Sequence, residues 1–214
     1  GPGAIPDLAL GALLRLSHGR GWLQLPAAVR LAWIAQLPLG PEDKTSAHAG
    51  LALAIIDAAG DHCRALTVEE QTALLARLRS MSESHDVSLW RLVFYSALFA
   101  TGRAELGVEV DALLRINLGH KASPTFFGRY LTGLSVAEPQ QIEPKSMEIL
   151  RLASSEQAPA LLWGLGHVLL HGQEPGKASA ASVLRTLSQL APWRDDPRTS
   201  QLLHLLGITD KLNQ

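Results

Sequence analysis

Residues 66–78 read Leu-Thr-Val-Glu-Glu-Gln-Thr-Ala-Leu-Leu-Ala-Arg-Leu. Thr67 followed three places later by Glu70 forms a capping box. The threonine hydroxyl accepts the N–H of Glu70, and the glutamate reaches back to the N–H of Thr67. Leu74, Leu75 and Leu78 then recur at spacings of three and four, the period of one helical face. The stretch predicts a helix beginning at Thr67, and the rest of the chain repeats its pattern.

Leucine occurs 40 times and alanine 29, against 9 valines and 8 isoleucines. The first two are strong helix formers, and the β-branched residues that favour strands are scarce. No segment shows sustained alternation of apolar with polar residues. Helix start and stop signals divide the chain into about ten segments. Towards the N-terminus helices are predicted over about 5–16, 26–37 and 45–64, with Pro26 at a first turn and Pro38 and Gly40 as a stop. Towards the C-terminus Asp86 or Ser88 opens a helix that closes near Gly102, and another covers about 106–118. Ser123-Pro124 starts a third, running through Leu134. Four more follow over about 144–153, 159–171, 178–190 and 199–206.

Consecutive helices with short connections lie antiparallel to their neighbours. The expected fold is therefore all-α: antiparallel helical hairpins stacked as a short α-solenoid, or a multi-helix bundle. Residues 4–214 read as a single helical domain, with a candidate sub-division at 138–144, where Pro139 and Pro144 fall. Gly1-Pro2-Gly3 has no charged leader region and no initiator methionine. It reads as the remnant of a cleaved tag on a piece of a longer protein.

Two stretches resemble known helical units. Residues 162–192 carry Leu162, Leu165, Gly166, Leu169 and Ala178 in a spacing similar to one tetratricopeptide unit. Ser182 and Arg185 depart from that pattern, and no second copy stands at its period of about 34 residues. Residues 66–98 resemble a helical pair found in accessory domains of some bacterial membrane-associated metalloproteases, without the zinc motif of those enzymes.

The formal charge is −1, from 19 basic and 20 acidic residues, so there is no electrostatic footprint for nucleic acid. Charged residues make up 18% of the chain, below the roughly 25% of a typical soluble domain. Mean hydropathy is +0.11. So poorly charged a helical protein either buries an unusual share of its surface or exposes apolar patches that meet a partner. The apolar run 159–170 is shorter than the roughly 20 residues of a membrane span and reads as a buried core helix, with Leu165 inward and no membrane insertion. Cys63 is the single cysteine, which rules out an internal disulfide; it reads as a small buried hydrophobe in a reducing cytoplasm. The leucine-, alanine- and arginine-rich composition points to a high-GC bacterium.

Catalytic patterns are sparse. His167 and His171, four apart, have the spacing of two metal ligands on one helix. Val168 stands where a metalloprotease has its glutamate, and both histidines read as structural. Glu69 and Glu70 suit the positive end of a helix. Neither a Gly-x-Ser-x-Gly elbow nor a phosphate loop is present, and no cofactor or metal is expected. Aromatic residues beside arginines, the usual anchors of protein interfaces, occur at Trp90-Arg91, at Phe126, Phe127, Arg129 and Tyr130, and at Trp193-Arg194. One or two of the aromatics at 126–130 are expected at the surface. These features predict a non-catalytic helical module for protein–protein contact, a scaffold, adaptor or accessory domain that meets a protein partner or itself. The alternative is a metal-dependent enzyme with a site assembled from dispersed histidines and acids.

Overall fold

The computed structural model describes residues 7–37, 46–191, 193–205 and 207. The described residues hold twelve helices and no strand. In chain order these are α1 (Asp7–Leu16), α2 (Arg20–Gln24), α3 (Ala27–Ala35), α4 (Ser46–Asp61), α5 (Val68–Ser80) and α6 (His85–Ala100). They are followed by α7 (Gly107–Ile116), α8 (Ser123–Ala137), α9 (Ile142–Leu152), α10 (Ala158–His171), α11 (Gly176–Leu187) and α12 (Pro197–Leu205). No helix among them is long and apolar enough to cross a membrane. Residues 1–3, the expected helix starts at 5 and 45, the expected stop at Pro38 and Gly40 and the expected end at 206 lie outside the described residues.

The capping box forms as expected. Glu70 N–H donates to Thr67 Oγ1 at 3.2 Å, and Thr67 N–H donates to Glu70 Oε2 at 2.7 Å. At α6 the sequence reading needs correction. Ser84, rather than Asp86 or Ser88, meets the free first turn, accepting from Val87 N–H at 3.2 Å. The short α2 is an addition to the helices expected from the sequence. Gly19 precedes it at φ 78°, a left-handed turn that separates α1 from α2 over three residues too close-set for the periodicity to register. Residues 138–144 do not form an open loop. A 3-10 turn, Pro139–Gln141, runs directly into α9, and Pro144 sits in its first turn, where a missing N–H costs nothing.

The chain divides into two compact units, residues 1–98 and 99–214, with the division inside α6. In the first unit α1 packs on α4 and α3 on α5. Its core gathers Leu10, Trp22, Ile34, Ile55, Leu74 and Leu78. Cys63 is buried. Two arginines tie the short helices down. The guanidinium of Arg30 donates to the Leu25 carbonyl at 2.7 Å, and that of Arg77 bonds the Leu37 carbonyl.

In the second unit α8 is the centre, packed by α7, α9, α10 and α11, most extensively by α10. Glycines permit that approach. A Cβ on Gly164 would stand 2.5 Å from Phe127 Cδ1 and 3.1 Å from Gly128 N. A Cβ on Gly133 would meet the Phe99 ring at 2.2 Å. Leu165, expected inward, is fully buried.

Candidate functional site

Most of the aromatic–arginine candidates are absorbed by the fold. Trp90 is 6% exposed. Arg91 donates to the carbonyls of Leu78 at 3.0 Å and Met81 at 2.9 Å and pairs with Glu83, so its charge closes the C-terminal end of α5. Phe126 is 4% exposed, Tyr130 2%, and Phe127 is wholly buried. The expectation that one or two of these rings reach the surface is thus corrected. A helix surrounded by four others has no single inward face, and α8 buries rings on several sides.

Tyr130 also reaches a polar cluster between α7, α8 and α9. Its hydroxyl donates to Asp111 Oδ1 at 2.9 Å, Arg115 Nε donates to Asp111 Oδ2 at 2.8 Å, and Lys145 Nζ lies 3.6 Å from Asp111 Oδ1. Burial alone would raise the Asp111 pKa, but the hydrogen bonds from Arg115 and Tyr130 hold it below the usual carboxylate range. Burial and the neighbouring carboxylate push the Tyr130 phenol well above its ordinary value. A phenol so hard to deprotonate is no base, and the cluster holds three helices together.

The groups left open lie on α10. The apolar run 159–170, expected to form a buried core helix, is buried on one face only. Leu161, Leu162, Leu165 and Val168 face inward, whereas Trp163 is 46% and Leu170 74% exposed. Trp163, His167 and Leu170 recur at intervals of four and three, so they share one outward stripe. The signal was present in the spacing; an apolar run that long hid it, because hydrophobicity alone does not separate the two faces. Beside the stripe Gly166 lets Leu202 of α12 approach closely, with a would-be Cβ 2.8 Å from Leu202 Cδ2. A groove of about 350 Å³ results, bordered by Trp163, Gly166, His167, Leu170, His171 and Leu202. Other exposed aliphatics, such as Leu16, Val68 and Val108, are on separate helices.

His167 is the one ring here tied inward. Its Nδ1 lies 3.0 Å from Thr132 Oγ1, and that hydroxyl donates to the Gly128 carbonyl at 2.8 Å. The single hydroxyl proton is thus committed, and the consistent assignment has His167 donating from Nδ1. Burial, then the charges of His171 and Arg129, lower the His167 pKa, so the ring is neutral at neutral pH. Arg129, half-buried on α8, is the sequence candidate that stands within reach of this face. The His167 and His171 rings are 4.6 Å apart. Among the described residues no three histidine, cysteine or acidic side chains converge on a metal position.

Trp193 and Arg194 sit on a 3-10 turn, Trp193–Asp195, ahead of α12. Arg194 is exposed and pairs with Asp195 at 3.4 Å. Trp193 is half-buried and forms one wall of a second cleft. No protein family, curated protein or solved structure matches this chain.

Proposed function

We propose that the chain is a non-catalytic helical interaction module that associates through the outward stripe of α10, and that the surface meeting it is the same stripe of a second copy. The observation that supports this reading is the pairing of a ridge with a groove on one surface. Trp163 and Leu170 project beside the groove at Gly166 and Leu202. A two-fold contact needs a patch that complements itself, and a ridge beside a groove satisfies that need. The groove lining brings no carboxylate, lysine or arginine, and His167 is neutral at neutral pH, so His167 adds no charge to the contact there. The low charged fraction of 18% and the exposed tryptophan agree with a contact surface.

Sedimentation velocity over a wide concentration range tests the proposal. The expected result is a monomer–dimer equilibrium that Trp163→Ser weakens by at least about 2 kcal/mol, the loss typical of an interface anchor. A monomer at every concentration would overturn self-association. A dimer indifferent to Trp163→Ser and Leu170→Ser would overturn the choice of face.

A further inference from the structure

The second cleft, about 500 Å³, lies between the C-terminal ends of α9 and α11 and the start of α10. That size is within the range of small-molecule sites, roughly 300–1,000 Å³. Its walls are apolar: Met147, Leu150, Ala158, Pro159, Leu187 and Leu190. Ala153 and Ala191 add to them, and Arg151, Ser155, Trp193 and Asp196 complete the lining. Asp196 is committed, since its Oδ1 accepts Arg198 N–H at 2.8 Å and lies 3.5 Å from Arg198 Nε. The side chains of Arg151, Ser155 and Trp193 make no hydrogen bond or ion pair among the described residues.

The uncommitted polar side chains of the cleft are therefore the Arg151 guanidinium, which only donates, and the Ser155 hydroxyl, which can donate, set with the Trp193 side chain against an apolar wall. Its one carboxylate is already held by Arg198. A neutral apolar ligand would leave the donors idle, and a cation would face the Arg151 charge. From this charge complementarity we infer that the cleft binds a small carboxylate with an apolar tail, the tail against Leu150, Leu187 and the Trp193 ring and the carboxylate on Arg151. Arginine suits that role because its planar fork can take both carboxylate oxygens at once. The site is separate from the α10 stripe and shares no lining residue with the groove there.

Titration calorimetry of the whole chain with octanoate, with 1-octanol as its uncharged counterpart and acetate as the tailless one, tests the inference. Octanoate is expected to bind saturably at one site, at least about tenfold tighter than octanol, since a charge-assisted bond contributes about that much. Acetate is expected to bind at least about tenfold more weakly than octanoate, because burying the tail supplies the remainder. Arg151→Gln, at an exposed position that should fold normally, is expected to bring octanoate down to the affinity of octanol and leave octanol unchanged. Ala191→Trp, which fills the cleft from its exposed rim, should weaken octanoate and octanol alike. Arg185→Gln, an exposed arginine of α11 outside the cleft, should alter neither. Equal affinities for octanoate and octanol, no octanoate binding, or an equal loss in Arg185→Gln and Arg151→Gln would each overturn the inference.

Discussion

The carboxylate of Glu70 is bound by the guanidinium of Arg30, forty residues away in sequence, with both side chains buried. Arg30 Nη2 donates to Glu70 Oε2 at 3.1 Å, Nε bonds Oε1, and Nη1 is spent on the carbonyls of Leu23 and Leu25. The same Glu70 oxygen closes the capping box on Thr67 N–H. One residue thus starts α5 and anchors the turn between α2 and α3. Only the first of these roles is written in local sequence.

Removing one partner of such a pair leaves the other's charge buried without its counter-ion. Glu70→Ala is expected to destabilise the chain by about 3–5 kcal/mol, whereas loss of the cap alone would cost about 1 kcal/mol. Urea denaturation separates the two outcomes, with Thr67→Ala reporting the cap.

The pair also sets an acid dependence. Burial by itself would raise the Glu70 pKa, but bonds from Arg30 and Thr67 N–H carry it below the ordinary value. A carboxylate with a depressed folded pKa binds protons less readily folded than unfolded. Its contribution is complete above the unfolded value, near 4.3, and is lost as pH falls through the folded one. Glu70→Gln should flatten the acid limb of a stability-against-pH curve below about pH 4. An unchanged limb would place the acid sensitivity elsewhere.

Glycine substitutions on two helices should move stability in opposite directions. At Gly164 a Cβ has Phe127 at 2.5 Å and the Gly128 backbone at 3.1 Å, so Gly164→Ala must part α8 from α10 and should cost about 1–3 kcal/mol. At Gly50, inside α4, a Cβ meets nothing within 4 Å. Gly50→Ala should therefore stabilise by up to about 1 kcal/mol through helix propensity. Thermal melts of the two variants decide the matter.

These contrasts mark where the sequence is legible. Helix positions follow from spacing and punctuation, because those act over one or two turns, and the Thr67–Glu70 cap is wholly local. The burial of Phe126, Phe127 and Tyr130 is not local. It depends on α8 being enclosed by α7, α9, α10 and α11, an arrangement that no helical period encodes. Nor does Arg91 announce its partners, since the carbonyls of Leu78 and Met81 become available only where α5 ends. The α10 stripe lay between these cases. Its period was readable, but which face would remain uncovered depended on where α8 and α12 came to rest.

Within α10 itself, two leucines five residues apart should behave as opposites. Leu165 is fully buried and Leu170 is 74% exposed. Leu165→Asp would bury an unpaired charge and is expected to unfold the helix's surroundings at ambient temperature. Leu170→Ser should leave the melting temperature within the range of a neutral surface change, while weakening dimerisation. Circular dichroism and sedimentation together read both effects.

The association proposed for that stripe is expected to be acid-labile, because His167 lies on it. His167 is held below the ordinary histidine value by burial, by His171 on its own helix and by Arg129 on α8, while Thr132 offers only a neutral hydroxyl. With its folded pKa depressed, the unfolded chain takes up the proton first. Stability is complete above the unfolded value of about 6.5 and falls as pH drops from there towards the folded one. Dimerisation should weaken across the same window, because protonated rings add like charges to both halves of a self-complementary contact. His167→Gln is expected to leave the proposed monomer–dimer equilibrium less dependent on pH below about 6.5 than that of the unsubstituted chain. His171→Ala should leave the melting temperature almost unaltered, since that ring is exposed and its main influence is on its neighbour. A dimer equally acid-labile with and without His167 would move the sensor off α10.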